Sequence, residues 1–270
     1  MKSLAELKVK IFADGADRAA ILELCGRPYI SGFTTNPTLM RKAGVTDYAA
    51  FAREILAVAQ GLPVSFEVLA DDFAEMERQA KAIAAWGRNV YVKVPITNTH
   101  GESSLDLIGR LARAQIQINV TAILTLEQVR GACAALDGGA PSCISVFAGR
   151  IADTGRDPVP VMQAALDLLR PHPNLELIWA SPRELLNIFQ ADAIGCHIIT
   201  ATQDILQKLP LIGKDLHAYS VETVAMFYRD ALQSGLTVHN EERPKLATFP
   251  LTTDRQATGP SDPNEGQIPS

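Results

Sequence analysis

The sequence predicts an α/β protein of eight β/α units closed into a (β/α)8 TIM barrel, with an extra C-terminal helix and a disordered tail. Three observations carry this reading. Eight short segments rich in Val, Ile, Phe or Thr recur along the chain, each short enough to be a strand. Helical patterns separate them, an alternation that favours a parallel sheet. The repeat of about 25–30 residues suits a closed barrel better than an open doubly wound sheet. The phosphate loops of open nucleotide-binding sheets, GxGxxG after the first strand or GxxxxGK followed by Ser or Thr, do not occur.

In order, the strand segments are VKIFADG (9–15), YISGFTTN (29–36), PVSFEVLA (63–70), NVYVKVPI (89–96), IQINVTAIL (116–124), CISVFAGR (143–150), LELIWAS (175–181) and CHIITAT (196–202). Between them, Phe73, Met76, Ala80, Ile83 and Ala84 fall on one helical face, as do Leu105, Ile108, Leu111 and Ala112. Segment 157–170 continues the alternation after the sixth strand. A short helix near 203–209 follows the eighth. A longer one at 215–234 carries Val221, Val224, Ala225, Tyr228 and Leu232 on one face and is expected to pack on the barrel or on a neighbouring subunit. Residues 1–240 are read as one catalytic barrel domain that includes this helix. Residues 241–270, with five prolines and two glycines, are read as a flexible Pro-rich tail whose deletion leaves activity intact.

At 270 residues the chain is normal for a single barrel and long enough to bury one large core. It is 47% hydrophobic and 20% charged, as globular proteins are. Its net charge of -5 and pI of about 5.6 argue against a dedicated nucleic-acid binder, while allowing a local basic site for an anionic metabolite. No run reaches the ~20 apolar residues of a membrane span, and Met1–Lys10 has no signal-peptide core. Cys25, Cys133, Cys143 and Cys196 form no CxxC pair and are read as reduced thiols of a cytoplasmic protein. The histidines lack metal-ligand spacing, so neither metal nor cofactor is expected.

Strand alternation separates two residue sets. Val90, Val92 and Val94 oppose Tyr91 and Lys93. Ile116, Ile118, Val120 and Ala122 oppose Gln117, Asn119 and Thr121. Ile144, Val146 and Ala148 oppose Ser145 and Phe147, and Ser65 shares a face with Glu67. The apolar sets suit the helices, so the mixed sets point into the barrel. A charge there is costly unless paired or used. Yet Asp14, Glu67 and Lys93 come from three strands, near the C-terminal ends where barrels keep their chemistry. Asn36, Asn119, Thr121, Ser145 and Ser181 are expected to join them. Desolvation disfavours the ammonium form of a lysine. A free amine attacks a ketone to give a Schiff base, whose protonated form accepts the electrons of a breaking carbon–carbon bond. Such chemistry needs carboxylates to move protons, here Asp14 and Glu67, and no metal.

At these residues the sequence resembles the transaldolase family of class I, Schiff-base aldolases, which includes fructose-6-phosphate aldolase-like members. The matching pieces are FAD around Asp14, GFTTNPT (32–38), SFEV (65–68), VYVKVPIT (90–97), INVTAIL (118–124), SVFAGRIAD (145–153) and WASPRE (179–184). They stand in the family's order and span roughly 9 to 235. The resemblance implies a barrel with the Schiff-base lysine, Lys93, on the fourth strand. It implies that Asp14 is the acid/base at the C4 hydroxyl while the C3–C4 bond breaks. Glu67 and Thr121 match the pair that positions a catalytic water. Asn36 and Asn119 match the amides that hold the dihydroxyacetone hydroxyls, and Ser145 lines that pocket. Arg150, Ser181 and Arg183 match the phosphate-binding group.

Structural roles compete with several of these. Asn36 before Pro37 is also a good N-cap. Ser181 and Glu184 make a capping box, although a helix N-terminus after the seventh strand would also suit a phosphate. Arg150 could pair with Asp153. Thr34 and Thr35 could simply support their loop, Trp179 is read as barrel packing, and His100 is assigned no role. Pro182 stands where the family often has an aromatic residue, and 196–210 matches only loosely; both lie near the distal end of the substrate.

The resemblance implies a transaldolase of the pentose phosphate pathway. It would move a dihydroxyacetone unit from sedoheptulose 7-phosphate or fructose 6-phosphate to an aldose phosphate. Aldolase-type members tend to carry Gln and Tyr where this chain has Glu67 and Phe147, so these two residues favour the transferase, with Phe147 counted among the substrate-binding residues. A fructose-6-phosphate aldolase, or a sugar aldolase of a specialised pathway, stands as the alternative. A non-catalytic sugar-phosphate sensor would be expected to lose the lysine or its acids. The expected partners are sugar phosphates and further copies of this chain in a homo-oligomer, with neither nucleic acid nor membrane.

Overall fold

A computed structural model describes residues 2–236 and 238. The expected tail, 241–270, lies outside the described residues. The chain forms two units, Met1–Lys214 and Asp215 onward.

The first unit is a closed barrel of eight parallel strands in sequence order, β1 pairing with β2 on one side and β8 on the other. The first half runs β1 (Lys10–Asp14), α1 (Arg18–Cys25), β2 (Ile30–Thr34), α2 (Pro37–Lys42), α3 (Tyr48–Val58), β3 (Val64–Glu67), α4 (Phe73–Ala84), β4 (Val90–Pro95) and α5 (Leu105–Arg113). The second half runs β5 (Ile118–Ile123), α6 (Leu126–Leu136), β6 (Ser142–Val146), α7 (Ala148–Asp153), α8 (Val159–Leu169), β7 (Leu175–Trp179), α9 (Leu186–Ala193), β8 (Ile198–Thr202) and α10 (Gln203–Leu206). All eight predicted strands are present.

Local chemistry starts the helices. Asp17, Asp47 and Asp72 cap α1, α3 and α4 by accepting the third backbone N–H of each. Thr125 and Gln128 close a capping box on α6. Each cap contributes about 1 kcal/mol. The outward strand faces then meet the helices: Val90, Val92, Val94, Ile118 and Val120 are at most 2% exposed and pack with Met76, Ile83, Ile108 and Leu111 in the main core. A second, smaller cluster fills the barrel itself, with Phe12, Cys143, Ile178, Ala180 and Ile198 buried and Tyr91 and Phe147 against them. Gly32 is required here, because a Cβ on it would stand 2.6 Å from the Phe12 ring. This apolar plug leaves polar side chains at the C-terminal ends of the strands.

Three expectations need correction. The sixth strand does not continue to Arg150: β6 ends at Val146 and α7 begins at Ala148, because Phe147 leaves extended geometry, at φ -81° and ψ 66°, as the N-cap of α7. Ser181 does not belong to the inward set of β7. Ile178 and Ala180 face inward and Trp179 lies in the outer core, and Ser181 leaves the strand in a left-handed conformation, φ +59°. Ser181 and Glu184 form no capping box. The Arg183 and Glu184 N–H groups are bound by Asn187 Oδ1 at 2.8 and 3.1 Å, and α9 begins only at Leu186.

The second unit contains α11 (Leu216–Ser234), capped by Asp215, whose side chain accepts the Ala218 N–H, and ended by Gly235 at φ +67°. None of its residues is buried. Val221, Val224 and Tyr228 of the expected apolar face are 57%, 65% and 57% exposed. Among the described residues no helix is long and apolar enough to cross a membrane.

Candidate active site

The predicted residues meet in one cleft of about 810 Å³ at the C-terminal end of the barrel. Asp14, Asn36, Glu67, Lys93, Asn119, Thr121, Ser145, Phe147, Arg150, Ser181 and Arg183 all line it. Inward alternation brings Asp14, Glu67, Lys93, Asn119, Thr121 and Ser145 there, whereas Asn36, Phe147, Arg150, Ser181 and Arg183 reach it from beyond the strand ends. Neighbouring strands hold Glu67 level with Lys93 and Lys93 level with Asn119.

Lys93 is 8% exposed. Its Nζ donates to Thr35 O at 2.6 Å and to Glu67 Oε2 at 3.2 Å. The other Glu67 oxygen, Oε1, accepts the Thr121 hydroxyl at 3.1 Å. One carboxylate therefore joins an amine to a hydroxyl. Thr121 sits where the β5–β6 register slips between Val120 and Ile123, and the next residue, Ala122, is left-handed at φ +61°. Backbone strain of this kind, about 1–3 kcal/mol, gathers at functional sites.

Asp14 ends β1 and accepts the Thr34 hydroxyl at 2.8 Å. Burial pushes its carboxyl above the usual carboxylate range, and the Lys93 charge and the Thr34 hydrogen bond pull it only part of the way back. A carboxyl so placed can both take and return a proton.

Deeper in, Asn119 Nδ2 donates to Ser65 Oγ at 3.2 Å and Ser145 Oγ donates to Asn119 Oδ1 at 2.7 Å. This chain fixes the Asn119 amide, which keeps one N–H free of these two bonds. Asn36 does cap α2: its Oδ1 accepts the Leu39 N–H at 3.0 Å. That bond orients the side chain and leaves its NH2 group to the cleft.

At the opposite rim, Arg150 lies over the Phe147 ring at 5.8 Å from its centroid. Asp153 pairs with Arg183, at 2.9 and 2.5 Å, and not with Arg150. The two guanidinium groups make this rim the basic side of the cleft. Gly149 fits α7 against the turn after β7: its N–H faces Ala180 O at 3.4 Å, and a Cβ there would fall 1.5 Å from Ser181 O.

A family model described as Transaldolase/Fructose-6-phosphate aldolase matches residues 11–248. The chain belongs to the transaldolase/fructose-6-phosphate aldolase family. Its relatives include a probable transaldolase of Dehalococcoides mccartyi, 33% identical over 202 residues, or 74% of this chain and 90% of the relative. A probable transaldolase of Thermoanaerobacter sp. is 30% identical over 231 residues, 85% of this chain and 100% of the relative. One from Mesorhizobium japonicum is 34% identical over 215 residues, 78% and 94%.

Three further residues contribute to the site: Thr34 and Thr35, read from the sequence only as loop support, and Tyr48, which the sequence reading missed. Thr34 binds Asp14, and its place two residues after inward Gly32 was a usable signal. Thr35 acts through its carbonyl, which every residue has, so the sequence held no signal. Tyr48 bonds the backbone of Glu67 from a helix, and nothing in its local sequence marks it. Trp179 is fully buried in the outer core, as its reading as barrel packing expected. Among the described residues no group of three His, Cys, Asp or Glu could hold a metal ion.

Proposed function

We propose that this protein is a transaldolase acting through a Schiff base on Lys93. The reading is carried by one observation: the 8% exposed Lys93 amine faces a polar cleft with Glu67 beside it and Thr121 on the far carboxylate oxygen. The Lys93 amine attacks C2 of a ketose phosphate, sedoheptulose 7-phosphate or fructose 6-phosphate. The carbinolamine loses water, with Glu67 and Thr121 positioning a water that carries the protons. Asp14 takes the C4 hydroxyl proton as the C3–C4 bond breaks. The electron pair moves into the iminium and leaves an enamine, and an aldose phosphate departs.

Asn36, Asn119 and Ser145 hold the hydroxyls of the retained three-carbon unit, and Phe147 borders it. Arg150 and Arg183, with Ser181 between the α7 and β7 ends, take the phosphate. An acceptor aldose phosphate then bonds to C3 of the enamine, its aldehyde oxygen receives the proton from Asp14, and water releases the new ketose. Glu67 and Phe147 support the transferase over release of dihydroxyacetone. The exposed apolar residues of α11 support a homo-oligomer, and the cytoplasm is the proposed compartment.

Borohydride trapping with fructose 6-phosphate, read by peptide mass spectrometry, tests the chemistry. A reduced three-carbon adduct on Lys93 is expected. No adduct on the folded enzyme with either proposed donor sinks the mechanism. Coupled assays with and without erythrose 4-phosphate then separate transferase from aldolase.

A further inference from the structure

Strands β2 and β3 pair only as far as Thr34 and Ser65. One more bond follows, from the Thr35 N–H to Ser65 O at 3.3 Å. In a parallel ladder the next rung would run from the Glu67 N–H to Thr35 O. The one after would need an N–H on residue 37, which is Pro37 and has none. Neither is made. The Thr35 carbonyl instead accepts Lys93 Nζ at 2.6 Å.

The broken edge is completed by Tyr48, the first residue of α3. Its hydroxyl accepts the Glu67 N–H at 2.8 Å and donates to Glu67 O at 3.0 Å, filling both vacant positions. The ring is fixed edge-on to Phe66 and Trp86, with centroids 6.1 and 5.3 Å away. Burial pushes the hydroxyl well above its ordinary value, so it remains a donor. A partly buried N–H without an acceptor is costly, and without the Tyr48 hydroxyl the ladder pattern directs the Glu67 N–H at Thr35 O.

We propose that Tyr48 is a positioning residue for Lys93: by satisfying the Glu67 backbone it keeps the Thr35 carbonyl free to hold the lysine amine in the cleft. The effect on turnover rests on the Schiff-base reading above; the effect on geometry does not.

Tyr48→Phe keeps the ring and removes the hydroxyl. Trp86→Phe is its control, loosening the ring cluster while keeping the hydroxyl. A crystal structure of Tyr48→Phe is expected to show the Glu67 N–H bonded to Thr35 O and Lys93 Nζ withdrawn from it. With fructose 6-phosphate, kcat is expected to fall about tenfold with KM changed less than about twofold, whereas Trp86→Phe lowers only the melting temperature. Lys93 still on Thr35 O in Tyr48→Phe overturns the proposal whatever the kinetics. So does a displaced amine with unchanged kcat, or a kcat loss that Trp86→Phe reproduces. If wild-type enzyme forms no borohydride adduct, the Schiff-base reading fails, and the Tyr48→Phe structure alone still decides whether Tyr48 holds Thr35 free.

Discussion

Lys93 Nζ stands 3.2 Å from Glu67 Oε2, with the two side chains 10% and 16% exposed. Removing two charges from water this far is unfavourable unless further hydrogen bonds satisfy them. Thr35 O serves the amine and the Thr121 hydroxyl serves the carboxylate. Deleting either partner therefore leaves an uncompensated charge. Glu67→Gln is expected to lower stability by about 3 kcal/mol in denaturant unfolding. If Glu67 moves protons through water, kcat falls about a hundredfold or more in the same variant. A variant with wild-type kcat would remove Glu67 from the mechanism.

Asp14 gives a pH signature of the opposite sign to an ordinary paired carboxylate. Its folded pKa is raised above the unfolded value, by burial first. The unfolded chain therefore loses its proton at lower pH, and stability from this group falls as pH rises from the ordinary carboxylate value to the raised one. Asp14→Asn is expected to melt above wild type at pH 7, with the gap closing on acidification below pH ~4. It is also expected to be nearly inactive, a stability gained where function is lost. A lower melting temperature at pH 7 would show that the Asp14 charge is net stabilising.

Asp192 behaves the ordinary way. Burial works to raise its pKa, but Lys2 Nζ at 2.5 Å and the Lys8 and Val9 N–H groups at 2.6 and 3.2 Å outweigh that and hold the carboxyl below its usual range. Its contribution is present above the unfolded carboxylate pKa and is lost as pH falls through the depressed folded one. Asp192→Asn, which keeps the shape, is expected to cost about 2 kcal/mol at pH 7 and little once wild-type Asp192 is itself protonated. Chemical denaturation at both pH values measures this directly.

Gly149→Ala sets a Cβ against Ser181 O at 1.5 Å, where only backbone movement can make room. A loss of about 1–3 kcal/mol is expected. If Ser181, Arg150 and Arg183 bind the phosphate, KM for fructose 6-phosphate rises while the rate with unphosphorylated dihydroxyacetone donors is less affected. Equal effects on both donors would separate this turn from phosphate binding.

Asp153 is ion-paired with the guanidinium of Arg183, whereas Arg150 lies over the Phe147 ring and acts on Asp153 only through its charge. Arg150→Ala is therefore expected to raise KM for a sugar phosphate about tenfold or more, and Asp153→Asn to change it less. Steady-state kinetics on the two variants decide the order.

Period-2 alternation alone determined which strand residues enter the barrel, because a strand sends successive side chains to opposite faces. With eight units closed into a barrel, that rule sends Glu67, Lys93, Asn119, Thr121 and Ser145 to one interior. It failed at Ser181, beyond the end of β7, where a left-handed residue re-aims the chain, and the expected capping box failed with it. It failed also at Ala122, expected on the helix side, because the left-handed turn there sends Ala122 to the cleft and Ile123 to the outer core. Tertiary structure alone decided the pairings: that Asp153 takes Arg183, that Glu67 bridges Lys93 and Thr121, and that Tyr48 and Thr35 share the edge beside Glu67. Alternation is a property of one strand. These contacts depend on register and on where a strand pair ends, and their groups, backbone carbonyls among them, lie from 19 to 58 residues apart.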